Sequence, residues 1–231
     1  MEIKPIAFFH SPLKSKFGVP RQSGVARALA GRIVFEPDYR HEEAVRGLEA
    51  FSHLWLIWEF SDKRKGSADE PASLTVRPPR LGGNERVGVF ASRSPFRPNR
   101  LGLTCVYINK VEMHPKLGPV IHVTGADLMD GTPIFDVKPY VRYADSYPEA
   151  RSGFVDQTEW KPLQVEMTTE QKQLFTKEEL AGLQEVLAQD PRPRYHDDPE
   201  RIYGMSFGDY DVRFRVADGR LTVVEMKPLR I

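Results

Sequence analysis

Leu103-Thr-Cys-Val-Tyr-Ile-Asn-Lys-Val111, Val120-Ile-His-Val-Thr-Gly-Ala126 and Thr132-Pro-Ile-Phe-Asp-Val-Lys-Pro-Tyr-Val141 follow one another with only Gly- and Pro-bearing breaks between them. Each is rich in β-branched and aromatic residues, which suits a half-buried or fully buried pleated surface. Upstream, Ile3 to Phe9, Gly31 to Phe35, His53 to Phe60 and Arg86 to Ala91 read the same way. Short strands separated by turn residues favour a compact β-rich domain over alternating βαβ units. One helix is expected before the third strand, because Ala44, Val45, Leu48 and Phe51 in the stretch His41 to Phe51 fall on one helical face. His53, Trp55 and Trp58 sit in an apolar run and are read as core packing.

The chain has 231 residues, 40% of them hydrophobic and 28% charged, an ordinary balance for a folded protein with a sizeable core. We read it as mainly β (α+β), with a β domain over residues 1–150 and a small α+β domain over 151–231. The polar, Pro-containing stretch from Tyr147 to Leu163 is the expected linker. Beyond it, Thr176-Lys-Glu-Glu179 has the form of a capping box, and Leu180, Leu183 and Leu187 continue an apolar stripe until Asp190-Pro191 stops it. Asp209 to Val216 and Arg220 to Met226 flank Asp218-Gly219, a strong hairpin signal. A helix plus a β-hairpin is therefore expected in the C-terminal part.

The single cysteine, Cys105, cannot form an internal disulfide or a clustered-cysteine metal site, which fits a reducing cytoplasm. Neither the N-terminal segment nor Phe51 to Phe60 is long and apolar enough for a signal peptide or a membrane span, so no membrane role is expected. With 33 basic and 32 acidic side chains, the formal charge of +1 exerts no global pull on nucleic acid. Charge is nonetheless segregated locally: Arg77, Arg80, Arg86, Arg93, Arg97 and Arg100 are opposed in their stretch only by Glu85. Singly these arginines could pair with Glu59, Asp127 or Asp136. Together they point to a polyanion, with RNA rather than DNA the expected one.

Glycine fingerprints for dinucleotides, the P-loop, zincin helices and hydrolase elbows are all missing. Three loop-like segments stand out instead: Val19-Pro-Arg-Gln-Ser-Gly24, Phe90-Ala-Ser-Arg-Ser-Pro-Phe-Arg-Pro-Asn99 and Asp127-Leu-Met-Asp-Gly-Thr-Pro133. In the first, Pro20 fixes a turn ahead of a cation, Arg21, and an amide, Gln22, that both donates and accepts. In the second, Pro95 and Pro98 stiffen the frame that aims Arg93 and Arg97. The third puts two carboxylates three residues apart around Asp130-Gly131; it reads equally as a plain β-turn or as a turn whose backbone and carboxylates meet an adenine edge or an amino-acid end. Asp190-Pro-Arg-Pro-Arg-Tyr195 adds Arg192 and Arg194 on a stiff backbone beside an aromatic, and reads equally as a grip on a nucleic-acid backbone or as a plain helix-exit loop.

Pro20-Arg-Gln22, Val45-Arg-Gly-Leu-Glu-Ala-Phe-Ser-His-Leu-Trp55, Val76-Arg-Pro-Pro-Arg-Leu-Gly-Gly-Asn84, Gly88-Val-Phe, Phe96-Arg-Pro-Asn99 and the run from Asp127 through Tyr140 together resemble the TrmO-type family of tRNA methyltransferases. The C-terminal part resembles that family's appended domain through Val186-Leu-Ala-Gln-Asp-Pro-Arg-Pro-Arg-Tyr195. The resemblance implies a single-sheeted β-barrel, a homodimer, and S-adenosylmethionine as donor of a methyl group to the N6 of threonylcarbamoyladenosine in the anticodon loop of tRNA. Carried over by motif, it implies cofactor contacts from Pro20, Arg21, Gln22, Ser61, Asp62, Arg93, Leu103, Asp127, Leu128, Asp130, Gly131 and Thr132. Arg77, Arg80, Arg97, Arg100, Arg192 and Arg194 are the expected RNA contacts. Ser23 and Arg100 stand where the family's bacterial form leads us to expect proline, which leaves one loop less rigid and the other more cationic. No catalytic residue is identified; Asp130, Asp136 and His53 are the candidates for a base.

Overall fold

A computed structural model describes residues 2–61, 74–78, 81, 85–158, 160–192 and 198–229. Asp62, Arg80 and Arg194, and most of the stretch from Arg80 to Asn84, lie outside the described residues.

Strands β1 (Ala7–His10), β2 (Ala30–Phe35) and β3 (His53–Glu59) are followed by a short ribbon of β4 (Thr75–Val76) and β5 (Val87–Gly88). Then come β6 (Leu101–His114), β7 (Gly118–Thr124) and β8 (Thr132–Pro139). Six of these close into one barrel in the order β1-β2-β7-β6-β3-β8, with β8 returning to β1 and every pairing antiparallel. Closure removes the exposed edges that an open sheet of this length would carry. On β6, Gly102, Thr104, Val106 and Ile108 face inward, whereas Leu101, Leu103 and Tyr107 face out. A register shift between Ile108 and Lys110 against β7 bends this long strand.

Three expectations need correcting. On β3, only Leu54, Leu56 and Trp58 enter the core; His53 and Trp55 are half-buried on the outer surface. The stretch is apolar on both faces, so its period of two was hidden. The expected helix over 41–51 is also broken: α1 (Glu42–Val45) is one turn, and Gly47, at φ +85°, ends it before a separate 3₁₀ turn at Leu48–Ala50. A left-handed glycine just past a helix end is a common stop. Likewise the expected strand from Arg86 is only Val87–Gly88, followed by a 3₁₀ turn at Val89–Ala91.

After α2 (Arg142–Asp145), the C-terminal part holds β9 (Gln164–Glu166), α3 (Thr169–Lys172), α4 (Lys177–Ala188), β10 (Tyr203–Phe207), β11 (Tyr210–Ala217) and β12 (Arg220–Pro228). The capping box forms as expected: Thr176 Oγ1 accepts from Glu179 N–H at 3.3 Å, and Glu179 Oε2 accepts from Thr176 N–H at 2.9 Å. The Asp218-Gly219 hairpin forms too, with both residues at positive φ. Strands β10 and β9 extend it to a four-stranded sheet, β9 running parallel to β12.

The second core draws on both ends of the chain. Leu183, Val186 and Leu187 of α4 pack on Met205, Phe207, Val212 and Phe214, and Leu13, Ala26 and Leu29 from the β1–β2 connection join them. Helix and connection approach closely. A Cβ on Gly182 would stand 3.2 Å from the Ala28 oxygen and the Leu29 Cα, and Glu185 Oε2 accepts from Ala28 N–H at 2.7 Å. The Gly208 N–H donates to the Pro12 oxygen at 2.8 Å.

Leu29 is 2% exposed in this joint, whereas nearby Val25 is 36% exposed. Leu29→Ala is expected to lower the unfolding free energy by about 2–4 kcal/mol in urea titrations, with Val25→Ala within about 0.5 kcal/mol of the parent.

Candidate cofactor site

The β1–β2 connection docks its apolar side chains on the C-terminal sheet and thereby holds its polar turn over the end of the barrel. Pro20 is buried, and Arg21 is exposed with its guanidinium 5.6 Å from the centre of the Trp160 ring. One residue on, Gln22 Oε1 accepts from Arg93 Nη1 at 2.7 Å, which ties the first loop to the second. The second loop is braced by its own arginine. Arg97 Nη1 donates to the Val89 and Ser92 oxygens at 3.2 and 2.7 Å, and its guanidinium lies 5.8 Å from the Phe90 ring centre.

Asp127 completes the cluster from the segment that leaves β7. Its Oδ1 accepts from the Thr104 hydroxyl at 2.6 Å, and Thr104 Oγ1 in turn accepts from the Trp58 indole N–H at 2.9 Å. Burial pushes the Asp127 carboxyl above the ordinary carboxylate range; the Thr104 hydroxyl, backbone N–H groups including that of Ser23, and the charge of Arg93 oppose that rise. Gln22, Arg93 and Asp127, from three separate segments, thus meet at one mouth of the barrel. An amide, a cation and a partly desolvated carboxylate at one place can hold a small zwitterion with hydroxyl groups.

The remaining residues of the third loop serve its shape. Asp130 Oδ1 accepts from Ser11 N–H at 3.1 Å and stands 3.4 Å from His10 Nδ1. Gly131, at φ +75°, donates its N–H to the Phe9 oxygen at 2.8 Å, and the Thr132 hydroxyl donates to the Met129 oxygen at 2.7 Å. Leu128 is buried in the barrel core. Ser61 is exposed past the end of β3, next to Phe60, whose N–H donates to the Arg100 oxygen at 2.9 Å. Leu103 lies on the barrel's outer face, 58% exposed, and so points away from the Asp127 cluster of its own chain.

Several of the expected RNA arginines have partners. Arg100, at φ +50°, pairs with Glu59 at 2.6 Å, and Arg192 forms a two-pronged contact with Asp190 at 2.9 and 3.0 Å. Arg77 is exposed. Of the base candidates, Asp136 Oδ1 accepts from Val137 N–H and its Oδ2 pairs with Lys138, while His53 lies edge-on to Tyr107 on the outer surface. Asp130 is engaged as described, so none of the three is aimed into the Gln22–Arg93–Asp127 cluster.

Thr104 and Trp58 are the site-related residues that the sequence reading missed. Thr104 is one of only two buried polar or charged residues among those described, the other being Thr132. A lone hydroxyl at an inward position of an otherwise apolar alternating strand was the available signal.

A closed antiparallel barrel with a cofactor-sized constellation in its end loops, and without a glycine-rich phosphate loop, defines a class of ligand-binding barrels apart from the doubly wound dinucleotide folds. Comparison with known proteins narrows the class. A family model described as the tRNA-methyltransferase O N-terminal domain matches residues 8–146, and one for the TrmO C-terminal domain matches residues 160–229. The chain belongs to the TrmO family of tRNA methyltransferases. It is 40% identical over 235 residues to the tRNA (adenine(37)-N6)-methyltransferase of Escherichia coli K12, covering 98% of each chain. A putative S-adenosylmethionine-dependent methyltransferase from Pseudomonas aeruginosa is 38% identical over 219 residues, covering 92% of this chain and 91% of that protein. A crystal structure of TrmO superposes with a TM-score of 0.77 at 32% identity, covering 98% of both chains. A second, from P. aeruginosa, gives 0.77 at 32% identity over 99% of this chain and 97% of that one.

The direction of the Asp127 shift yields a pH signature. A carboxyl whose folded pKa is raised binds more protons folded than unfolded, so stability falls as pH rises from its ordinary value of 3.8 through the folded value. Asp127→Asn is therefore expected to melt no lower than the parent at pH 7, and to lose that advantage as the pH falls below about 4, where the parent carboxyl is also neutral. Calorimetric melting at several pH values checks this; a variant clearly less stable at pH 7 contradicts it.

Proposed function

We propose that the chain uses S-adenosylmethionine to methylate the N6 of adenine 37 of tRNA, next to the anticodon, with threonylcarbamoyladenosine as the acceptor nucleoside. The observation that carries the reading is the meeting of Gln22, Arg93 and Asp127 at the barrel mouth in a TrmO-family chain. The donor set fits the cofactor's chemistry. A guanidinium suits its carboxylate, a carboxylate suits its ammonium or ribose hydroxyls, and an amide suits its adenine edge. Pro20, Arg21, Leu128, Asp130, Gly131 and Thr132 then frame the pocket through backbone and shape, with Ser61 at its rim.

A sulfonium methyl donor held there would supply an electrophilic methyl group to the acceptor N6. The chain's contribution is placement. Arg93 and Asp127 hold the two ends of a zwitterion in opposite electrostatic environments, and Gln22 locks the loop that carries Arg93 to the loop that covers the barrel. Fixing both partners at reacting distance supplies much of the rate enhancement such a transfer needs. Arg77 and the basic stretch around Arg97 and Arg100 receive the anticodon stem-loop, with Arg80, Arg192 and Arg194 extending the contact. Pairing with Glu59 and Asp190 orients Arg100 and Arg192 and lessens their net charge, so Arg77 is the stronger phosphate contact of the three.

We further propose a cytoplasmic homodimer built on the outer face of β3 and β6. There Ile57 pairs with Leu103, Trp55 with Cys105 and His53 with Tyr107, and Leu103 and Tyr107 are 58% and 49% exposed. The Tyr140 ring packs, tilted, against those of His53 and Trp55 and widens this apolar patch. No described helix is long and apolar enough to cross a membrane.

Nucleoside mass spectrometry of tRNA from a deletion strain should show loss of N6-methylated threonylcarbamoyladenosine with its unmethylated precursor retained; an unchanged nucleoside profile refutes the function. In calorimetry, Arg93→Ala should bind S-adenosylmethionine roughly tenfold or more weakly, the loss expected for one charge-assisted contact. Leu103→Arg should sediment as a monomer where the parent sediments as a dimer.

A further inference from the structure

The hydrogen bonds behind Asp127 have a fixed direction. An indole N–H can only donate, so the 2.9 Å contact from Trp58 Nε1 occupies an acceptor lone pair of Thr104 Oγ1. The single hydroxyl proton of Thr104 is then left to point elsewhere, and its partner is Asp127 Oδ1 at 2.6 Å. With Asp127 ionised, Oδ1 is therefore the acceptor of the Thr104 proton. Both relay residues are almost fully enclosed, Trp58 at 7% and Thr104 at 1% exposure, so water does not compete for these bonds.

The indole is itself held in place. Trp58 faces Gly102 across the β3–β6 pairing, and a Cβ on Gly102 would overlap the indole. Phe60 packs on the ring with centroids 4.3 Å apart. Against β8, the register shifts between Ile57 and Trp58, a local irregularity of the kind that re-aims a side chain. Thr104 pairs with Leu56, two residues from Trp58, which makes indole and hydroxyl diagonal neighbours on the inner face. An apolar barrel core needs neither hydroxyl nor indole N–H, and burying them is favourable only because each is satisfied by the next.

We propose that Trp58 and Thr104 are positioning residues for the methyl-donor site, the indole fixing the direction of the Thr104 hydroxyl and the hydroxyl holding Asp127 as an oriented acceptor toward the Gln22–Arg93 loops. This rests on the reading of Asp127 as a contact of S-adenosylmethionine. The relay acts in two ways. It restricts the Asp127 side chain to one rotation, and it supplies a donor that favours the ionised carboxylate against the burial that disfavours it. Binding that uses the ionised form fails as pH falls through the pKa of Asp127, so losing the Thr104 donor moves that acid limb to higher pH.

Calorimetric titration of the full-length protein with S-adenosylmethionine, between pH 5 and pH 8, tests the relay in Thr104→Val, Thr104→Ser, Trp58→Phe and Asp127→Asn. Thr104→Val, which keeps shape and removes the hydroxyl, should bind roughly tenfold more weakly at neutral pH, with its acid limb shifted upward. Thr104→Ser restores the hydroxyl and should recover both affinity and limb. Trp58→Phe should weaken binding less than Thr104→Val, because the hydroxyl survives but is free to turn. If Thr104→Val does not fold, equal affinity and equal limbs for the Ser and Phe variants and the parent would still overturn the role of Trp58, and an unrecovered Ser variant that of the hydroxyl. Parent-like binding by Thr104→Val, with Asp127→Asn defective, overturns the relay and leaves the Asp127 assignment standing. Parent-like binding by Asp127→Asn overturns the assignment itself, and the relay with it.

Discussion

The connection from Ser11 to Leu29 is the constraint on which the rest of the molecule depends. Its apolar residues, Leu13, Ala26 and Leu29, belong to the core of the C-terminal sheet, while its two ends are strands of the barrel. A polar turn of this length over a barrel mouth would otherwise move freely, since the entropy of a long loop opposes any one conformation. Here it is held from outside by α4, through the Gly182 close approach and the Glu185 carboxylate, and from below by the Asp130 carboxylate at Ser11. The C-terminal part therefore has a structural effect on the barrel's loops without supplying a residue to the Gln22–Arg93–Asp127 cluster. Truncation at the second family segment would expose Leu13 and Leu29 and release the turn that carries Gln22.

The same arrangement explains why the two carboxylates of the third loop do not act as one anionic patch. Asp127 and Asp130 are three apart, yet they do opposite work. Asp130 is turned toward β1, where Ser11 N–H and His10 meet it. Asp127 is turned inward, where Thr104 and Arg93 meet it. Between them Leu128 is sunk into the core, which fixes the rotation of the segment and makes that division of labour possible. Likewise, Arg97 spends its donors on the Val89 and Ser92 oxygens, and so shapes the loop from which Arg93 reaches Gln22.

Much of the fold was legible because local signals agreed with it. The capping box at Thr176, the Asp218-Gly219 hairpin and the β-branched runs of β6 to β8 each formed where their chemistry predicts. Where legibility failed, two constraints competed. Residues 53–59 carry apolar side chains on both faces, so alternation could not separate Trp58 inside from Trp55 outside. Helical spacing at Ala44, Val45, Leu48 and Phe51 was outweighed by Gly47. Barrel closure itself, which pairs β1 with β8 and β3 with β6, is a long-range fact that no window of sequence displays; it entered through family resemblance.

The cluster shows the same division. Rigid loops and arginines advertised Gln22, Arg93 and Asp127, but the chemistry of a site lies as much in what fixes a side chain as in what the side chain is. An arginine in a proline-rich loop looks the same in sequence whether it is spent on a neighbouring carbonyl, as Arg97 is, or paired with a carboxylate, as Arg100 is. A threonine in a strand looks like a β-former until the strand's inward face is known. Thr104 becomes conspicuous only once Gly102, Val106 and Ile108 are seen on the same face, because a single hydroxyl among them must have a partner or cost stability. Its partners are an indole on one side and the site's carboxylate on the other, which joins the barrel's core packing to the electrostatics at its mouth. Substitutions that disturb how Trp58 sits against Gly102 and Phe60 are thereby coupled to Asp127 through two hydrogen bonds, with no contact of their own at the mouth.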